Sequence, residues 1–133
     1  MFLNRLDKEA KEVFLLLANH VARSDESFSD AQKSLISGYA KEMDMPAIEY
    51  DEDSFDLQSS IQRVTDKEFQ KIILIEVLAI VYTDHMIHPA EKEIIDIIVD
   101  TWKINSSLVI AYGEWSKSLL SLYIQGEALL DLN

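Results

Sequence analysis

The chain has 133 residues, with 24 Asp and Glu against 12 Lys and Arg for a formal net charge of −12, and no cysteine. That charge repels a phosphate backbone and no Lys/Arg run offsets it, which excludes nucleic acid as an expected partner; without thiols there is no disulfide, thiolate metal site or cysteine nucleophile. Three Gly and two Pro are too few for a turn-rich β protein, while 48% hydrophobic and 27% charged residues suit a globular domain, so the composition favours helices.

The length suits a single domain spanning 1–133. Asp7, Glu9 and Glu12 precede a short apolar stretch, the reverse of a secretory signal. The most apolar segment, Ile72 to Tyr82, is broken by Glu76 and is about half the ~20 residues that a membrane-spanning helix needs. The expectation is a cytoplasmic protein without a transmembrane segment, with peripheral attachment to the inner face of the membrane left open.

In chain order, Asn4 is read as the N-cap of a first helix with Leu6, Ala10, Val13, Phe14, Leu17, Ala18 and Val21 at three-and-four spacing, ending near Arg23. His20 falls at the edge of that stripe. Ser29-Asp30-Ala31-Gln32 has the form of a capping box and opens a second helix to about Met43, burying Leu35, Ile36, Tyr39, Ala40 and Met43. An acidic connector over 46–64 follows, within a stretch where Glu42, Asp44, Glu49, Asp51, Glu52, Asp53 and Asp56 occur without a Lys or Arg. Met45-Pro46 stops or restarts a helix, and Ser54 is read as the cap of a short helix burying Phe55, Leu57 and Ile61.

Thr65-Asp66-Lys67-Glu68 reads as a second capping box, opening a helix that is apolar around most of its circumference and is therefore expected at the centre. His88-Pro89-Ala90-Glu91 supplies a cap, an N1 proline and an N3 glutamate for the next helix, through Ile94, Ile95, Ile98 and Trp102. Asn105 or Ser106 starts the last, carrying Leu108, Val109, Tyr112, Trp115, Leu119, Leu122 and Tyr123, with a frayed tail from Gly126. Trp102 and Trp115 lie at helical spacing with other apolar residues and are expected in the core or at an interface. The fold class is an all-α compact bundle of six to seven helices.

Two stretches match at a constant offset of 59 residues, from Asp25 to Asp84. The same offset pairs Phe28 with Ile87, Ala31 with Ala90, Gln32 with Glu91 and Lys33 with Lys92. The chain therefore reads as two similar halves, about 4–45 and 65–125. An apolar helix leading into a loop with Asp, an apolar residue three positions on, a capping residue next, and Glu seven after the Asp resembles the TerB-like domain family, that of tellurite-resistance protein TerB and the N-terminal region of DjlA. Asp84, Ile87, His88 and Glu91 carry the resemblance, and Asp25, Phe28, Ser29 and Gln32 repeat it with Gln for Glu. Where the family has Gly after the Asp this chain has Glu26 and His85, a departure that bears on the loop geometry. The resemblance implies an all-helical fold with a pseudo-twofold repeat, an acidic surface, divalent-cation binding, and membrane-associated stress-response complexes; it does not imply catalysis.

Asp25, Asp84 and Glu91, with Gln32 beside them, are the candidate ligands for a divalent cation (Ca, Mg, Mn or Zn); hard cations take six or more oxygens, so backbone or water would have to complete the set. The competing use of the same residues is capping and loop hydrogen bonding, the commoner role of such side chains. An EF-hand is excluded by spacing, because the sixth positions are Asp30 and Pro89 rather than Gly and the twelfth are Ile36 and Ile95 rather than Glu. Asp84, His85, His88 and Glu91 form the alternative, a metal-dependent enzyme cluster, although HExxH is absent and Pro89 keeps the two His off one helical face. The acidic connector is either a solvated face or a dock for a basic protein partner. The sequence thus points to a non-enzymatic TerB-like interaction or scaffold domain, with a basic or membrane-associated protein as its partner.

Overall fold

Helix starts are decided by which polar side chain takes up the orphan backbone N–H groups of the first turn. The computed structural model describes residues 1–24, 28–46, 48–84 and 87–133, with residue 84 by its backbone alone. Among these lie α1 (Lys8–Arg23), α2 (Asp30–Glu42), α3 (Leu57–Gln62), α4 (Lys67–Val81), α5 (Pro89–Trp102) and α6 (Ser106–Leu130), with 3₁₀ turns at Leu3–Arg5 and Tyr82–Asp84. Every described element is helical. The side chains of Asp7, Ser29, Asp66 and Asn105 accept from the N–H groups of Ala10, Gln32, Phe69 and Ser107 at 2.8, 3.1, 3.0 and 2.8 Å.

Four sequence expectations need correction. Asn4 does not cap α1: Leu3–Arg5 forms a 3₁₀ turn that buries Leu3 and Leu6, and Asp7 caps instead. Thr65 does not open α4; the carboxylate of Asp66 does, which moves Glu68 out of the position needed to close a box and leaves it beside Arg5 at 3.7 Å. Ser54 lies in a turn, and the short helix starts after Asp56. The tail does not fray at Gly126, because α6 runs on to Leu130.

The chain is organised around α4, which packs on α1 along one side and α6 along another and also touches α5 and the first 3₁₀ turn. Ile73, Leu74, Val77, Ile80 and Val81 of α4 are wholly buried, as are Val13, Phe14, Leu17, Ala18 and Val21 of α1, the helix on which α4 packs. Each such side chain contributes roughly 1.5–3 kcal/mol through burial. The β-branched run of α5 forms a helix because only Ile94, Ile95, Ile98 and Trp102 turn inward while Asp96, Ile97 and Asp100 face out. Trp102 is core, as expected, and its indole N–H donates to the Ile61 carbonyl at 2.9 Å, joining α5 to α3. Lys103 ends α5 in the left-handed region at φ 54°, a strained conformation for a side chain with a Cβ.

The crossing of α6 over the second 3₁₀ turn depends on one small residue. A Cβ built on Gly113 would lie 3.2 Å from the Tyr82 hydroxyl and 3.3 Å from its ring. That close approach seats the first half of α6 on α4, where Gly113 and Ser116 are its buried residues.

Candidate functional site: a groove between α2 and α6

The two loops singled out from the sequence are only partly described. Asp25, Glu26 and His85 lie outside the described residues, as does the side chain of Asp84, so the expected grouping of Asp25, Asp84 and Glu91 is neither assembled nor separated by the structure. Glu91 is fully buried, and its Oε1 accepts the His88 backbone N–H at 3.0 Å at the start of α5. Gln32, 59 positions earlier in the chain, is also buried and accepts the Ser29 N–H at 3.2 Å while Ser29 Oγ accepts from Gln32 N–H. The N3 side chains of α2 and α5 therefore do the same capping work, one as an amide and one as a carboxyl. Among the described residues no group of His, Asp and Glu is arranged to hold a metal.

His20 is half-buried, with its Nδ1 2.7 Å from the Tyr50 hydroxyl and its ring 4.6 Å from that of Phe55. Burial lowers its pKa below the usual histidine value, against the opposing pull of Glu52. Arg23 lies over the Tyr50 ring at 5.3 Å. The acidic connector is thus pinned to α1 by its aromatic residues, whereas Glu42, Asp44, Glu49, Asp51, Glu52, Asp53 and Asp56 are all exposed.

One concave feature was missed by sequence reasoning. A groove of about 720 Å³ runs between α2 and α6, with α4 as its floor. Ile75, Ala79 and Thr83 lie along the floor; Leu35 and Tyr39 stand on the α2 wall; Trp115, Leu119 and Tyr123 stand on the α6 wall. One end is closed by charge. Glu76, 5% exposed, accepts from the Met1 amine at 2.8 Å and the Phe2 N–H at 3.0 Å. Burial, reinforced by the Glu76 and Glu42 carboxylates, pushes the neighbouring Tyr39 hydroxyl far above its usual pKa, so this phenol stays neutral. The Phe2 ring lies 5.8 Å from that of Trp115, completing the same end.

Chemically, the walls offer apolar area and the polar end offers a carboxylate already engaged by an amine. Such a surface suits the apolar face of a helix better than a charged or phosphorylated ligand. A sequence signal for it existed. A helix apolar on nearly all sides needs cover on nearly all sides, and α2 and α6 stand apart over the Ile75–Ala79 strip. The continuation of α6 points the same way: Leu122, Tyr123, Ile124, Leu129 and Leu130 are exposed by 63, 68, 52, 67 and 81%. Single exposed apolar residues are ordinary, but a contiguous set of this kind on one helix is not. Among the described residues no helix is long and apolar enough to cross a membrane. The chain matches no protein family, no curated protein and no solved structure with which it was compared.

Proposed function

We propose that this protein is a non-enzymatic helical interaction module of the TerB-like kind, and that the groove between α2 and α6 is where it receives an apolar helical segment of a partner. One observation carries the reading: an apolar groove of about 720 Å³ lies beside an exposed apolar helix that continues one of its walls. Helix-in-groove recognition needs a few apolar anchors at three-and-four spacing on the incoming segment. The exposed carboxylates of the connector supply a long-range field that favours partners with basic flanks.

The pseudo-twofold relation between the halves belongs to the same proposal, supported by the matched capping of Gln32 and Glu91. So does a divalent cation at Asp25, Asp84 and Glu91. Its test is a rise in melting temperature on adding calcium, magnesium, manganese or zinc that disappears in Asp84→Ala; no rise with any of the four removes the cation from the proposal.

The groove itself can be watched directly. Trp115 stands in its wall, while Trp102 is buried elsewhere. In a Trp102→Phe background, an amphipathic helical peptide with apolar anchors should shift Trp115 emission saturably, and Ala79→Trp should block the binding as followed by calorimetry. Absence of binding by any such peptide overturns the groove reading.

A further inference from the structure

We propose that the occupant of the groove is a second copy of this chain, entering through the C-terminal half of its own α6; the inference rests on the groove reading given above. Three features favour self-recognition. First, α6 outruns the bundle. Leu119 and Leu120 are still half-buried, and from Ser121 to Leu130 every residue but Gly126 is exposed, roughly 15 Å of helix at 1.5 Å per residue. Leu119, Tyr123 and Leu130 form one row along this arm, with Leu122 and Leu129 beside it.

Second, charge selects the surface on which two such molecules can meet. Each copy carries −12, so most pairings of two copies repel. From Ser106 to Leu130 the charged residues are Glu114, Lys117 and Glu127, a net of −1, and from Ser118 to Gly126 there are none. The arm and the α6 wall of the groove are therefore the region where self-association meets the least repulsion.

Third, the register closes on itself. Two antiparallel copies of α6 crossing at Tyr123 place Leu129 and Leu130 of one copy opposite Lys117 and Ser116 of the other. Ser116 Oγ lies 3.4 Å from the Ile75 carbonyl, so this is where α6 borders the groove floor. Each arm then enters the other copy's groove, an isologous arrangement that closes as a dimer and leaves no free arm to propagate a filament.

The test is the mass of the full chain by sedimentation equilibrium. The wild type should approach twice the chain mass of 15.2 kDa. Leu129→Asp with Leu130→Asp should weaken association by roughly tenfold or more, as expected for apolar anchors, without changing circular dichroism or melting of the monomer, since both side chains are exposed. Ala79→Trp, which fills the floor, should weaken it similarly. Mixing the arm variant with the floor variant should restore part of the association, because one intact arm then meets one intact groove. In this cysteine-free chain Tyr123→Cys should oxidise to a disulfide-linked dimer. A chain that stays monomeric at every concentration, or a dimer indifferent to the arm variant, overturns the proposal. A synthetic peptide of residues 117–132 separates the two readings. If the chain is monomeric and this peptide leaves Trp115 unmoved while another apolar helical peptide shifts it, self-pairing fails and the groove reading stands; if no peptide shifts it, both fail.

Discussion

Two helices of this protein are nearly equally apolar and end in opposite situations. In α4 the apolar residues are met by α1, α5, α6 and the first 3₁₀ turn, and Ile73, Leu74, Val77, Ile80 and Val81 lose all contact with solvent. In α6 only Gly113 and Ser116 are buried, and from Ser121 onward its Leu and Tyr side chains stand in water. The difference is one of position. Burial stabilises a helix only where other elements supply the facing surface, and here α4 has taken the centre. What α6 leaves exposed is available for association, which is why the functional proposal lies on that helix and the fold rests on the other.

Mutations should separate these roles, and the largest effect belongs to α4. Truncating Ile73 to Ala removes a fully buried side chain and should lower the unfolding free energy by about 2–5 kcal/mol, read from the denaturant midpoint. A loss of under about 1 kcal/mol would mean that α4 is not the packed centre. Next come the caps, which test whether both helices depend on their first turn. Asp66→Ala on α4 and Asn105→Ala on α6 each remove an acceptor for a backbone N–H and should each cost about 1 kcal/mol. A much smaller loss at Asn105 would show that the start of α6 can open independently of the bundle.

A pH series provides a control where α1 meets the connector, at His20, Tyr50 and Phe55. The pKa of His20 is lowered in the folded protein by burial, so the unfolded chain binds the proton more readily. Stability contributed by neutral His20 is present above the unfolded value of 6.5 and is lost as pH falls from there through the folded pKa. The melting temperature of the wild type should therefore fall more steeply below that pH than that of His20→Gln. Equal slopes would detach the Tyr50–Phe55 contact from any role in stability. The smallest effect on folding belongs to the exposed half of α6. Leu122→Ala should change monomer stability by no more than about 0.5 kcal/mol, and a loss like that of Ile73→Ala would show that the arm is packed against its own bundle.

The helices were legible in the sequence because their signals are local. Ser29-Asp30-Ala31-Gln32 and His88-Pro89-Ala90-Glu91 announced α2 and α5, and the three-and-four spacing of Val13, Phe14, Leu17 and Val21 announced α1. Where the reading failed, two cap-forming residues competed within a few positions. Asn4 lost to Asp7 because Leu3 and Leu6 are buried by a 3₁₀ turn, a decision made by packing against α2 and α4. Thr65 lost to Asp66, whose carboxylate makes the stronger acceptor. The acidic connector was legible from its composition, a run of Glu and Asp without Lys or Arg, but the clamp of Tyr50 and Phe55 on His20 joins residues about thirty positions apart and has no local signature.

The groove was hidden for the same reason. Its floor comes from α4, its walls from α2 and α6, and none of Leu35, Ile75, Ala79 and Trp115 differs in type from a core residue. Apolar periodicity states which face of a helix must leave water; it does not state whether enough neighbours arrive to cover it. The sequence by itself determined an acidic, all-helical chain, the capped starts of α2 and α5 and its most apolar helix, because charge, capping and periodicity are properties of neighbouring residues. Only the tertiary structure decided that α2 and α6 stand apart over α4 and that α6 outruns the bundle, because burial depends on which distant faces meet.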